Sequence, residues 1–277
     1  MEINRLDTRE PPGEDPAMVQ EKLEEIRRLI TEQPDLKIWS DEDWYLLRFL
    51  RYRNFNPAYA LRQLKSYEKF KAEQGPSWLE IPRTHFTDIL NSRVAQVLID
   101  RHPDGARILW LQVGIWQPSE VPAETLLQIC GVLGEIGELE PISQGTGVYA
   151  ILDMANLGFT QFRGLSPSFA GKMVSYLATA FPMRLNGIHI VHQPALFSMV
   201  FSLFKGFLDE RMRRRLFFHG HDLESLHEHI PANVLPPELG GDNPQPEDPH
   251  WWQCTVFGDA VTSGLKKQGI VFVNNPA

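Results

Sequence analysis

Cysteine is nearly absent: Cys130 and Cys254 are the only two in 277 residues. So few thiols exclude a disulfide framework and a CxxC metal site, and they fit a reducing, cytoplasmic setting. Long apolar runs are missing as well. No stretch reaches the roughly 20 residues that a membrane-spanning helix needs, and no signal-like segment opens the chain, so a soluble protein is expected. Basic charge is in deficit, with 27 Lys and Arg against 35 Asp and Glu and a net charge of −8. That argues against nucleic acid as a general partner, and any attraction to an anionic surface must be local.

Catalytic signatures are lacking too. Gly164-Leu-Ser-Pro-Ser168 does not form the G-x-S-x-G elbow of a hydrolase, and Gly258 to Lys267 has glycines and lysines without Walker spacing. His219, His221, His227 and His229 make paired His-x-His steps near a strand end, but no HExxH accompanies them. Asp153 closes a strand with no evident partner, which leaves a general base unsupported. Neither an enzyme nor a metal site is expected.

What is present is a chain with 43% hydrophobic residues, enough for a real core. Residues 1–16 are polar, contain Pro11-Pro12-Gly13, and read as a flexible arm. Val19, Leu23, Ile26, Leu29 and Ile30 predict an amphipathic helix over 17–32. Ser40 is the expected cap of the next helix, with Asp43 as acidic partner, and Asn56-Pro57 opens a third that Gly75-Pro76 ends. Residues 17–99 thus form a helical unit. From 100 to 245 the grammar changes to strands near 107–113, 147–153, 187–192 and 216–219, alternating with helices near 122–140, 167–181 and 223–229. Such alternation predicts an α/β domain with a mostly parallel sheet covered on both faces. Residues 246–277, preceded by Pro244 and holding Pro246 and Pro249, read as a surface-wrapping tail.

One segment stands out, Ser175 to Leu216. After the Phe181-Pro182 corner and a short strand, an apolar helix starts at Pro194, with Phe197, Val200, Phe201, Phe204 and Leu208 at three-and-four spacing. Leu196, Met199 and Leu203 spread the apolar character to neighbouring faces. A core helix of an α/β domain carries the same stripe, and so does a lid over a ligand or a helix entering a membrane surface. Four arginines in five positions follow, Arg211, Arg213, Arg214 and Arg215, with Arg211 and Arg215 on one face if the helix continues. Basic residues suit a helix C-terminus, but four exceed that need, and each can add about 1 kcal/mol toward an anionic membrane.

Several motifs in succession carry a resemblance: Leu46-Leu-Arg-Phe-Leu-Arg-Tyr-Arg-Asn-Phe55, Ile151-Leu-Asp153 and Phe181-Pro-Met-Arg-Leu-Asn-Gly-Ile-His189. Lys205-Gly-Phe-Leu208, Phe218-His-Gly220, Ser225-Leu-His227 and Leu235-Pro-Pro-Glu-Leu-Gly-Gly241 follow. Over about residues 40–241 the chain resembles the CRAL-TRIO family of lipid-transfer proteins, especially its α-tocopherol transfer protein, cellular retinaldehyde-binding protein and clavesin subgroup. The resemblance implies a helical N-terminal domain before an α/β lipid-binding domain with a mobile gate helix. It implies a cavity lined by Leu127, Cys130, Gly134, Leu177, Phe181, Leu185 and Ile188, closed by Phe197, Val200 and Leu203 of the gate. Cys130 and Gly134 stand where the tocopherol protein has serines, which removes polar atoms. Phosphoinositide-binding basic residues of the family fall on Arg53, Arg184, Arg211 and Arg215, and guanidinium groups suit multidentate phosphate contacts. His192-Gln193 stands in place of the family's Asn-Glu before the gate proline, and Leu239 in place of a tyrosine. The histidines become structural. The expected function is an intracellular carrier of a small hydrophobic lipid (a retinoid, tocopherol or similar isoprenoid), with no cofactor beyond that lipid, unloading at phosphoinositide-containing membranes. The alternatives are a phosphoinositide-binding trafficking adaptor that transfers nothing, and a lipid-modifying hydrolase.

Overall fold

The computed structural model describes residues 6–181, 183–244 and 254–274. Pro182, Pro246 and Pro249 lie outside the described residues.

Three helices make the first unit, Pro16–Thr31, Asp43–Tyr52 and Pro57–Gln74. Their apolar stripes meet in a shared core that includes Leu23, Ile26, Leu46, Phe49, Leu50 and Leu64. Asp15 and Asn56 each cap a helix through a side-chain oxygen, and each precedes a proline whose missing N–H is no loss at a first turn. Ser40 does not cap as expected. The second helix starts later, with Glu42 in the cap position, and Ser40 Oγ instead accepts from Glu42 N at 3.2 Å.

Seven strands follow: β1 Glu80–Pro82, β2 Ala95–Val97, β3 Arg107–Gln112, β4 Val148–Asp153, β5 Leu185–Val191, β6 Leu216–Gly220 and β7 Val271–Val273. The main sheet runs β2-β3-β4-β5-β6, parallel throughout except for antiparallel β2 at one edge. Period-two alternation divides its side chains between two cores. Leu109, Ala150, Ile188 and Ile190 face the large core under the helices Ala123–Gly137 and Pro167–Ser175. Ile108, Trp110, Ile151 and Val191 face a smaller one closed by Leu226, Ile230, Leu235 and Leu239. The mixed α/β layout is the one the alternation predicts. Gly147 introduces β4 at φ +81°, where a Cβ would stand 2.2 Å from the Arg184 carbonyl oxygen, so the close β4–β5 approach requires glycine.

Both chain ends differ from expectation. The α/β unit begins before residue 100, because β2 is part of its sheet. Residues 254–274 are no surface wrap: the helix Asp259–Lys267 buries Val261 and Leu265, and β7 pairs in parallel with β1. At the other end Arg51, almost fully buried, holds the arm through Glu10 at 2.6 Å and Glu14 at 2.8 Å. The polar residues that looked solvated are therefore ion-pair partners of the body.

Candidate functional site

A cavity of about 500 Å³ lies between the helix Ala123–Gly137 and strands β2 to β4, within the range of about 300–1,000 Å³ for a small-ligand pocket. Of the expected lining residues, Cys130, Gly134 and Phe181 border it. Leu127, Leu177, Leu185, Ile188, Phe197 and Val200 belong instead to the apolar core packed around it, and Leu203 is half-buried on the gate. Gly134 has a steric reason: a Cβ there would lie 2.7 Å from Phe181 Cε2, so the missing side chain is the seat of the Phe181 ring. Burial pushes the Cys130 thiol up to about 12, so this wall offers a neutral, weakly polar group.

The gate is shorter than the sequence suggests, Phe197–Lys205, and only Val200 on it is fully buried. It is shut by rings: Phe197 on Phe201 at 5.8 Å, Phe201 edge-on to Phe218 at 5.3 Å, Phe204 edge-on to Phe169 at 6.5 Å. Packed aromatics thus fill the space beneath the gate, and the cavity lies elsewhere, bordered by no gate residue. Met199, Phe207 and Phe218 leave large apolar surface outside.

The cavity's far rim was not foreseen. It is formed by Asp7 and Arg9 of the arm with Arg101, Arg107 and Glu140. Glu140 Oε2 pairs with Arg101 at 2.6 Å, its Oε1 pairs with Arg107 at 2.5 Å, and Asp7 reaches Arg101 at 3.2 Å. Hydrogen bonds from Arg9 hold the Asp7 carboxyl down at about 2, with the Arg101 charge adding to them. Burial alone would raise Glu140, yet the hydrogen bonds and charges of Arg107 and Arg101 outweigh it and hold its carboxyl below the usual range.

Of the four arginines expected to bind phosphate, Arg211 and Arg215 come within electrostatic reach of Arg53, and Arg184 reaches the neighbouring Asn54. Arg211 and Arg215 do not share a helix: the gate ends at Lys205, and the short helix that starts under an Asp209 cap, Glu210–Arg213, stops before Arg215. Even so, both charges reach Arg53. Burial first, then the repulsion of Arg211, Arg215 and Arg62, depresses the Arg53 guanidinium below its ordinary value. Arg53 lies over the Tyr52 ring at 4.6 Å, donates to Gln63 Oε1, and keeps a buried Nε without a hydrogen-bond partner. Arg184 donates to Asn54 Oδ1 at 2.9 Å, beside Arg53 in the chain. Among the described residues none of these arginines pairs with a carboxylate, whereas Arg214 turns away to Glu210 at 3.2 Å.

The helix Pro167–Ser175 runs on into a single π turn, Tyr176–Ala180, a device common at functional sites. Its irregular carbonyls are taken by this basic cluster: Arg211 donates to Ala178 O at 2.8 Å, and Gln63 donates to Thr179 O at 3.0 Å and Phe181 O at 3.2 Å.

The histidines serve packing. His189 Nδ1 lies 3.1 Å from His219 Nε2, His219 Nδ1 lies 2.7 Å from Ser225 Oγ, and the described residues hold no group of metal-ligand geometry. Asp153 does have a partner, contrary to the sequence reading: His192 Nδ1 at 2.9 Å, across the entry to the gate. No nucleophile accompanies that pair among the hydrogen bonds of the described residues. The pair ties the end of β4 to the turn that leads into the helix Phe197–Lys205, and His192 N also donates to Gly220 O at 2.5 Å.

A mostly parallel sheet covered by helices, with a cavity of about 500 Å³ between sheet and helix, can enclose a small ligand. Residues 91–241 match the CRAL/TRIO domain. Clavesin-1 of Rattus norvegicus is 31% identical over 254 residues, covering 89% of this chain and 70% of its own. The alpha-tocopherol transfer protein-like protein of Mus musculus is 30% identical over 244 residues, 88% of this chain and 71% of that one. Among solved structures, that of Sfh5 covers 92% of this chain and 98% of its own at a TM-score of 0.55 and 15% identity, a likeness of fold. The chain belongs to the CRAL/TRIO family of lipid-binding and lipid-transfer proteins. Among the described residues no helix is long and apolar enough to cross a membrane.

Proposed function

We propose that the protein carries one single-chain hydrophobic lipid in its cavity and unloads it at membranes that present phosphoinositides, which makes it a transiently membrane-associated cytoplasmic carrier. The observation that supports this most is physical continuity between the basic cluster and the cavity wall. Arg53 holds Gln63, Gln63 holds the Phe181 carbonyl, and the Phe181 ring lines the cavity. Arg211 holds the adjoining π turn. An anion bound among Arg53, Arg184, Arg211 and Arg215 would relieve their mutual repulsion and satisfy the orphan Nε of Arg53. It would also draw on the bonds that position Phe181.

Such a link suits a carrier, because a bilayer offers a lipid tail nearly the same solvent as the cavity. Net extraction is close to neutral, and the rate depends on gate opening and docking. A cavity of about 500 Å³ favours a retinoid-, tocopherol- or isoprenoid-sized ligand over a two-tailed phospholipid. The pair Arg211→Glu and Arg215→Glu should slow transfer to vesicles containing a bisphosphorylated phosphoinositide by about thirtyfold or more, from two lost charges at about 1 kcal/mol each. Lipid affinity measured without vesicles should stay within about twofold of the parent protein's. Equal transfer by the variant would overturn the coupling.

A further inference from the structure

We infer that the cavity's charged rim takes the carboxylate of an acidic single-chain lipid, and that Asp7 of the N-terminal arm occupies that place in the closed protein. The inference rests on the carrier reading and names the class of head group. Cys130 and Gly134 give the cavity wall no charged contact and Thr255 offers only a hydroxyl, so recognition of an anionic head group falls to the rim. There, Arg101 and Arg107 share the single buried carboxylate of Glu140. Asp7 supplies the second carboxylate, at 3.2 Å from Arg101 Nε. Asp100 also borders the cavity, but it is exposed and takes its hydrogen bond from Asn243 at 2.6 Å.

The arm is built to withdraw. Among the described residues no backbone-to-backbone hydrogen bond ties 6–14 to the body; at its tip Asp7 N donates to Glu140 Oε1 at 3.0 Å, and its main anchors are the pairs of Arg51 with Glu10 and Glu14. Residues 6–9 lie beyond those anchors, so they can leave the cavity while Glu14 stays held. Asp7 and Arg9 form a close pair at 2.7 Å and depart together as a neutral unit. What remains is two guanidiniums on one carboxylate, an opening for one anionic oxygen pair. Arg101 Nη1 is already fixed by Gly105 O at 2.8 Å and Ser143 Oγ at 3.0 Å, so the recipient is preorganised. The apolar side of Leu6 leaves with the arm and vacates room for the first carbons of the tail.

Fluorescence titration of the full chain with cis-parinaric acid, its methyl ester and retinol tests this. The acid should bind about tenfold tighter than the ester, since one charge-assisted contact is lost in the ester. Asp7→Asn removes the competing carboxylate and should tighten binding of the acid about tenfold while leaving the ester unchanged. Arg101→Gln should bring the acid down to the ester's affinity. Ester and retinol binding as tightly as the acid, with Asp7→Asn neutral, would overturn the head-group assignment and leave the carrier standing. Failure of all three lipids to bind would remove the carrier reading, and this inference with it.

Discussion

Arg48→Met should lower the unfolding free energy by about 3–5 kcal/mol, the usual cost of stripping one partner from a buried ion network. Arg48 is fully buried, packed against the rings of Tyr45, Phe49 and Tyr67 at 5.1, 5.1 and 4.8 Å. Its Nη1 forms an ion pair with Glu135 Oε2 at 2.9 Å and donates to Gln268 Oε1 at 2.7 Å, and its Nε lies 3.8 Å from Glu138 Oε2. One guanidinium therefore joins the helical unit, the α/β unit and the C-terminal helix. Methionine fills much of the same volume, so the loss measured is electrostatic rather than a cavity. Glu135 bears most of it, because burial already pushes the Glu138 carboxyl up to about 8 and keeps that neighbour protonated at neutral pH. Adding Glu135→Leu and Glu138→Leu to Arg48→Met should recover most of the loss, since an apolar replacement of the whole cluster leaves no unpaired charge. Urea unfolding at pH 7 distinguishes the cases. A single-variant loss under about 1 kcal/mol would mean that the network contributes little.

Arg48 also shows where reading the sequence stops. It sits inside the Leu46–Phe55 motif, and nothing local separates it from Arg53, yet one is the most buried cation of its helix and the other feels the charges of Arg211 and Arg215. The apolar periodicities were legible because a helix or strand announces its buried face every three or four, or every two, residues. The gate stripe, the parallel sheet and the identity of the clustered arginines came from that and from the motifs. Contacts between distant polar residues leave no period. Asp7 meets Glu140 across 133 positions, Arg48 meets Gln268 across 220, and in sequence each looks like ordinary solvated charge. The same blindness hid the tail, where Val261 and Leu265 alone carry the helix's buried face. It also hid the cavity's charged rim, which depends on Asp7, Arg101, Arg107 and Glu140 meeting from distant parts of the chain. Only the break at Gly206 could have been anticipated, from a glycine and the Asp209 cap just beyond it.

Stability should peak near pH 6 and fall on both sides, with a different buried group responsible for each side. His189 sits on the smaller-core face of β5, enclosed by Phe217, His219, His229 and Tyr149, its Nε2 without a partner. Burial first, then the nearby His219, His229 and His102, lowers its pKa to about 3 from 6.5. The unfolded chain takes up a proton that the folded chain refuses, so stability is whole above about 6.5. It declines as pH falls toward 3, by up to about 1.4 kcal/mol per pH unit. His219 is lowered as well, by burial first, and adds to the same side, moderated by Asp222 and Glu228. Below the ordinary carboxylate range Glu140 and Asp7, both depressed, begin to lose their contributions too. Glu138 acts in the opposite sense. Its folded value of about 8 exceeds the model-compound 4.5, so the folded chain keeps a proton that the unfolded chain gives up. Its contribution is complete below 4.5 and is lost as pH rises through 8. Between 4.5 and 6.5 the two slopes oppose each other; above 6.5 Glu138 acts alone. Denaturant midpoints taken from pH 4 to 8.5 should therefore trace a dome. Glu138→Gln, which mimics the protonated acid, should remove the alkaline decline and leave the acid one. His189→Gln should flatten the acid decline and leave the alkaline one. A parent curve that is level from pH 4.5 to 8 would show that neither group resists its ordinary charge state in the folded protein.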